Sequence, residues 1–326
     1  MPGSKCAEKL FSNVGFGLFL ALLAVLLQPQ ALAEPLPELE ITRVTSSIYS
    51  AIGVTDVPAY ANAGHNNNLS FIITTGGVVV VNGGDNYLLA QALHRQIKKR
   101  TGLPVKWVVN ENGQGHAFLG NSYWAEQAVP IIAHEDAIAE MKHNGHAVLA
   151  RMRKRNENRA AGTIVSLPTH SFGEADGQRY VISLGDTRIE LVRLGRAHSP
   201  GDISVWLPQQ RVLIAGDIAF HQRLLAIFPD TDVDGWIESF DKMAALKPEI
   251  IVPGHGAPTN LATLQKYTQG YLVFLRGEII KILDDDGDLD DAYAIDQSAY
   301  SQLDTFEELA GKNAGRLYQM MEMDYF

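Results

Sequence analysis

LGRAHSPGDISVWLPQQRVLIAGD, residues 194–217, is the stretch whose reading decides the fold. Two short apolar runs, DISVWLP and RVLIAGD, meet at Pro208-Gln209-Gln210, which reads as a β-hairpin turn. One end of the hairpin carries a glycine-framed His198, and the other ends in Gly216-Asp217. Two further apolar runs end in the same way. PVKWVV leads into NENGQGHA (110–117), and EIIVPGHG ends in a glycine-framed His255. Glycine beside a histidine permits close backbone approach and lets the ring face a cavity. Polar residues gathered on loops at one sheet edge are how α/β folds build sites.

Outward from these stretches, LSFIITT and GVVVVN (69–82) predict two strands joined at Gly76–Gly77. NYLLAQALHRQIKKR (86–100) places Leu88, Leu89, Ala92, Leu93 and Ile97 on one helical face. With PVKWVVN as the next strand, the order strand, helix, strand predicts an α/β layer. SYWAEQA reads as a helix, VPIIAH as a strand, and HEDAIAEMKHNGHAVLARMRKRNEN as a helix weakened at Gly145. TIVSLPTHSF, QRYVISLG and TRIELVRLG read as strands. VDGWIESFDKMAAL reads as a helix with Asp234 at its N-cap, and a long helix is predicted over 259–283. DDDGDLDD (284–291) lacks the register of a calcium loop and reads as a polar linker, with a helical extension from Tyr293 onward.

The chain is 46% hydrophobic and 20% charged over 326 residues, ordinary values for a globular protein. Its N-terminus differs. Lys5 and Lys9 precede GFGLFLALLAVLL and then QPQALAEP, which reads as a signal peptide cleaved after Ala33. The apolar run is short for a bilayer span, so a periplasmic or secreted protein without a stable membrane anchor is expected. The one cysteine, Cys6, lies in that segment, which excludes a thiol nucleophile or thiolate metal site beyond it. A net charge of −10 argues against nucleic acid as a partner, leaving a small-molecule substrate. RMRKRNENR (151–159) reads as a solvated helix face. Oligomeric state is not legible.

Residues 40–275 resemble the metallo-β-lactamase fold superfamily. The resemblance rests on GVVVVNGG (77–84), VVNENGQGHAFLGN (108–121), the hairpin stretch 194–217 and IIVPGHGAPT (250–259). It implies an α/β (α+β) fold: an αββα sandwich of two facing mixed sheets with helices outside and a metal cleft at one edge. Residues 276–326 would then be a helical C-terminal extension, and 1–33 the signal peptide. The match is to hydrolase branches that carry Asp at the bridging position.

NENGQGHA departs from that family's His-x-His-x-Asp-His pattern, because Asn112, Gln114, His116 and Ala117 stand in the four places. The family's first metal site is thereby reduced to Asn112, Gln114 and His198, and amides are weak ligands for a transition metal. The second keeps His116, Asp217 and His255, with Ala117 leaving an open position of the kind a catalytic metal needs. The resemblance therefore implies one divalent metal, zinc first and iron or manganese as alternatives, on His116, Asp217 and His255. His198 would be a fourth ligand or a proton carrier. Asn112 and Gln114 would hydrogen-bond the metal's water or the substrate, and Asn82, where the family has Asp, indicates altered support around the metal.

In AGHNNNLSF (63–71), which borders the cleft in the resembling fold, His65 is a candidate extra ligand. Asn67 and Asn68 are candidates for substrate binding, against an equal reading as a self-bonded Asn-rich turn. His221 is a candidate acid lining the cleft. His143 and His146 read as a solvated face, and Trp206 and Trp236 as core. The favoured function is an exported metallohydrolase attacking an ester, thioester, lactone or lactam carbonyl with a metal-bound water. A mononuclear iron oxygenase and a non-catalytic binding protein on the same scaffold are the alternatives.

Overall fold

The computed structural model describes residues 36 and 38–325, so the expected signal peptide lies outside them. The described chain forms two mixed β-sheets with helices on their outer faces. The first sheet runs in chain order through β1 (Thr42–Arg43), β2 (Ile48–Ala51), β3 (Leu69–Thr74), β4 (Gly77–Val81), β5 (Val105–Val109), β6 (Ile131–His134) and β7 (His170–Phe172). Its pairings are antiparallel as far as β4 and parallel from β4 to β7. The second sheet contains β8 (Arg179–Leu184), β9 (Thr187–Val192), β10 (Ser204–Leu207), β11 (Val212–Phe220) and β12 (Ile250–His255). Only β11 and β12 are parallel there.

Every residue of GVVVV in β4 is buried, the unbroken apolar pattern of a strand covered on both faces. Ile72, Val79, Val81, Val109 and Ile132 of the first sheet pack against Ile189, Leu191, Val205 and Val212 of the second, forming the sandwich core. Helix α1 (Tyr87–Lys98) follows β4, and Asn86 Oδ1 accepts from Leu89 N at 2.8 Å as its N-cap. Two short helices, α2 (Gly115–Phe118) and α3 (Asn121–Glu126), follow β5. The long α4 (Glu135–Asn156) buries Ala137, Met141, Leu149 and Met152 beside Phe118 and Ala133. Gly145 is buried in it, facing Val165 and Phe118, so the helix continues through that residue.

Behind the second sheet lies a third cluster. It combines α5 (Val233–Ala245) with α6 (Leu261–Leu264), which runs through one π turn into α7 (Gly270–Asp284). Asp232, not Asp234, caps α5, because its carboxylate accepts from Gly235 N at 2.8 Å. The acidic stretch 284–291 is partly helical: Asp288 caps α8 (Leu289–Tyr293) in a capping box with Asp291. The last helix, α9 (Phe306–Tyr325), places Ala310, Ala314, Leu317 and Tyr318 in the same cluster as Leu224, Leu225, Ile227 and Tyr271. Position 276, the expected start of the extension, falls inside α7. Of TIVSLPTHSF only His170–Phe172 is a strand, pairing with Ile132–His134. No helix of the described residues is long and apolar enough to cross a membrane.

β4 and β5 run parallel, as do β11 and β12, and Asn82, Asn110–Asn112 and His255 lie at or just beyond their C-terminal ends. The 110–117 loop and both glycine-framed histidines therefore meet at one edge of the sandwich.

Candidate metal centre

Asp217 is the centre of that edge. β11 shifts register between Ile214 and Gly216, and Gly216 takes φ +64°, turning the buried Asp217 carboxylate toward the other sheet. Three imidazoles approach it. His116 Nε2 lies 3.2 Å and His198 Nδ1 3.6 Å from Oδ2, while His255 Nε2 lies 3.4 Å from Oδ1. Two amides donate to the same group: Asn112 Nδ2 to Oδ2 and Asn67 Nδ2 to Oδ1, each at 3.2 Å.

A second carboxylate stands beside it. Glu111 is 2% exposed, and its Oε1 accepts from Asn82 Nδ2 at 2.8 Å and Asn67 Nδ2 at 3.1 Å. Its Oε2 is buried without a hydrogen-bond partner. That oxygen fills the space a Gly216 side chain would need, since a Cβ there would lie 1.4 Å from it. One ligand atom from each of Glu111, His116 and Asp217 falls within 4.8 Å of the others. Sequence reasoning misses Glu111. The available sign is an acid two residues past the apolar strand end Val108–Val109, set among amides and glycines.

The protonation pattern leaves lone pairs facing one another. His255 Nδ1 is 2.5 Å from the Asn66 carbonyl oxygen, which can only accept, so Nδ1 carries the proton. Burial holds the ring well below the usual imidazole range, so it is neutral and Nε2 is bare toward Asp217 Oδ1. Burial likewise lowers His198 to about 4, and Gln114 Nε2 donates to its Nδ1 at 3.3 Å. At His116 burial acts downward, but the Asp217 and Glu111 charges outweigh it and raise the ring. Its Nε2 is within 3.2 Å of Asp217 Oδ2 yet in no hydrogen bond of acceptable geometry. Burial and the Asp217 charge push Glu111 up, while the His116 charge overcomes burial and holds Asp217 far down. The bare His255 Nε2 faces Asp217 Oδ1 here, with Glu111 Oε2 unpartnered beside them and the raised His116 ring against Asp217 Oδ2. These donors fit a borderline divalent metal.

The cluster opens onto a cavity of about 380 Å³ lined by Gln114, His116, His198 and His255, with Glu140 of α4 and Arg223 on its walls. Phe220, Phe228 and Trp236 surround the His198 ring at 5.2–5.5 Å between centroids. Arg151 and Arg155 of the basic stretch also line this cavity, and Arg155 pairs with Asp85, so this part of 151–159 is not merely a solvated face.

The structure thus brings together Asn112, Gln114, His116, His198, Asp217 and His255. It places the other candidates elsewhere. His65 Nε2 bonds the Ala51 carbonyl at 3.3 Å. Asn67 spends both amide hydrogens on Glu111 and Asp217 and accepts from Asn82 at 2.9 Å, so it orients the carboxylates. Asn68 donates to the Pro253 and Gly256 carbonyls and accepts from Gly53 N, tying the turn to β12. His221 Nε2 bonds the Ala257 carbonyl at 2.6 Å, a structural bond on a ring that does not line the cavity. His143 and His146 are exposed, and Trp206 and Trp236 are buried.

A family model described as the metallo-beta-lactamase superfamily matches residues 63–255. Metallo-beta-lactamase type 2 of Bacteroides fragilis is 22% identical over 234 residues, covering 67% of this chain and 80% of that protein. Metallo-beta-lactamase IND-1 of Chryseobacterium indologenes is 22% identical over 212 residues, covering 64% and 77%. A solved metallo-beta-lactamase from Pontibacter korlensis superposes with a TM-score of 0.57 at 19% identity, covering 72% of this chain and 99% of its own. At that identity the structural likeness is one of fold.

Proposed function

Because the chain belongs to the metallo-β-lactamase superfamily, we propose that it is a metal-dependent hydrolase with one divalent ion held by Glu111, His116, Asp217 and His255. The observation that supports this most is the bare His255 Nε2 set against Asp217 Oδ1, beside the unpartnered Glu111 Oε2 and His116 Nε2. Two acceptor atoms at 3.4 Å repel unless a cation joins them. The mixed nitrogen and oxygen donors suit zinc first, with iron or manganese as alternatives. A divalent ion in this place supplies Lewis acidity toward a carbonyl oxygen and a nucleophilic water at neutral pH.

The chain's own groups do the rest. Asn67 and Asn82 hold Glu111 and Asp217 in place, and the Asn66 carbonyl fixes the His255 tautomer. Gln114 donates to Nδ1 of the neutral His198 and orients that ring at the cavity wall. Phe220, Phe228 and Trp236 keep water from that ring. The substrate would be a small molecule with an ester, thioester, lactone or lactam carbonyl, met in the periplasm or outside the cell. The test is turnover of 4-nitrophenyl acetate, γ-butyrolactone and a β-lactam by metal-replete protein. Turnover of at least one, abolished by a chelator and restored by zinc, iron or manganese, is the expected result. No turnover of any, with ligand binding retained, would replace this reading with a non-catalytic binding protein.

A further inference from the structure

Glu140 is the one carboxyl of the cavity wall that the proposed chemistry leaves unused and that has a buried, unpartnered oxygen. It lies on α4, and its Oε2 has no hydrogen-bond partner. Its position is fixed by Gly113 in the middle of NENGQGHA: a Cβ on that glycine would lie 2.5 Å from Glu140 Oε2. On either side of Gly113 stand Asn112, bonded to Asp217, and Gln114, bonded to His198. Glu140 therefore sits directly over the loop that carries the centre, facing the same cavity.

We propose that Glu140 is the proton donor to the leaving group, an inference that rests on the hydrolase reading above. A half-buried carboxyl whose Oε2 is buried without a partner, and which has no ion-pair partner among the described residues, favours its protonated form, and an O–H with no acceptor is free for a substrate. The charged groups around it are Asp230 and Asp202, which disfavour ionisation, and His116, which favours it; Arg151, Arg155, Arg223 and Asp85 face the same cavity. Burial first, then the two aspartates, push the carboxyl up to about 8. As the acyl C–O bond breaks, the Glu140 proton passes to the leaving oxygen and Glu140 becomes a carboxylate. The attacking water leaves its oxygen on the acyl carbon, and its proton restores Glu140. The bond changes balance without any oxidant or reductant.

The test compares wild type with E140Q on two acetates. 4-Nitrophenyl acetate releases a phenolate that needs no proton, whereas ethyl acetate releases an alkoxide that does. General-acid assistance contributes about 10²–10⁴-fold, so E140Q should lose that much kcat on ethyl acetate and only a few-fold on 4-nitrophenyl acetate. The alkaline fall of kcat with pH on ethyl acetate should vanish in E140Q. Infrared difference spectra of the full chain at pH 7 should show a protonated carboxyl C=O band in wild type that is missing from E140Q, whatever the turnover. Equal losses on both esters, no loss on either, or no band lost would overturn the role of Glu140 alone. If metal-replete wild type cleaves neither acetate and no lactone or β-lactam, the hydrolase reading falls and takes this role with it. A circular-dichroism melt confirms that E140Q is folded, and E140D, which shortens the reach, should show the same ester-dependent split.

Discussion

Gly216 and Glu111 are 105 residues apart in sequence, yet one occupies the space the other lacks, which makes Gly216→Ala a sharp perturbation. At φ +64° an alanine costs about 1–2 kcal/mol from backbone sterics alone. The clash with Glu111 costs more. A new Cβ at 1.4 Å from Glu111 Oε2 would be as close as a covalently bonded atom, so Glu111 must leave. Its departure strips Asn82 Nδ2 and Asn67 Nδ2 of buried acceptors now at 2.8 and 3.1 Å. An orphaned buried donor costs about 1–3 kcal/mol, so Gly216→Ala should cost about 3–8 kcal/mol in all. In a Glu111→Ala background those donors are already orphaned and only the backbone cost of about 1–2 kcal/mol remains. Urea unfolding of wild type, both single variants and the double variant gives the coupling, expected at about 2 kcal/mol or more. Additivity within about 0.5 kcal/mol would refute the packing of Glu111 into the space beside Gly216.

Glu140 also makes a stability prediction that needs no substrate. Its folded pKa is raised from 4.5 to about 8, so between those values the folded state holds a proton the unfolded state has released. Stability therefore falls as pH rises across that window, by up to about 5 kcal/mol at ~1.36 kcal/mol per pH unit, and the loss is complete above about 8. Glu140→Gln should abolish that slope, so melts of the two proteins should diverge between about pH 5 and 9, with the variant gaining at high pH. Chelation should lower the melting temperature of metal-replete protein, because an ion at a hundred times its Kd stabilises the fold by about 2.7 kcal/mol. Asn313 accepts from Ile227 N at 2.9 Å and donates to the Leu225 carbonyl and Tyr271 hydroxyl, fastening α9 under the cavity wall. Asn313→Ala should cost roughly 2–5 kcal/mol by denaturant unfolding and loosen Phe228 against His198.

The sandwich was legible because its strands are written as apolar runs closed by glycine and a polar group. GVVVV and EIIVPGHG became buried strands ending at the site edge, and RVLIAGD became one that runs past Asp217 to Phe220. That His198, His255 and Asp217 meet was legible from their glycine-framed stretches, whereas His116, on α2, was reached through the family resemblance. What failed depends on partners distant in sequence. His65 reads as a candidate ligand and His221 as a candidate acid, but each ring bonds a carbonyl that no local pattern reveals. Asn67 and Asn68 carry both donors and acceptors, and the structure spends the donors on carboxylates and on the carbonyls of Pro253 and Gly256, and the acceptors on Asn82 and Gly53 N. Glu111 was missed because an acid after a strand ordinarily meets water, and the space at Gly216 that receives it is invisible without the second sheet. Asp232 and Asp234 are equal N-cap candidates by composition, and only the position of the Gly235 N–H separates them.

The most direct test of the centre is elemental analysis of protein purified without chelator or a metal-binding tag, with Glu111→Ala, His116→Ala and His255→Ala run beside it. About one equivalent of zinc, iron or manganese in wild type, lost or much reduced in all three variants, is the expected result for a single ion on the borderline N/O donor set. No metal after reloading would leave the bare atoms around Asp217 without their cation and contradict the centre. Two equivalents would contradict its single-ion form and require Asn112 and Gln114 as ligands.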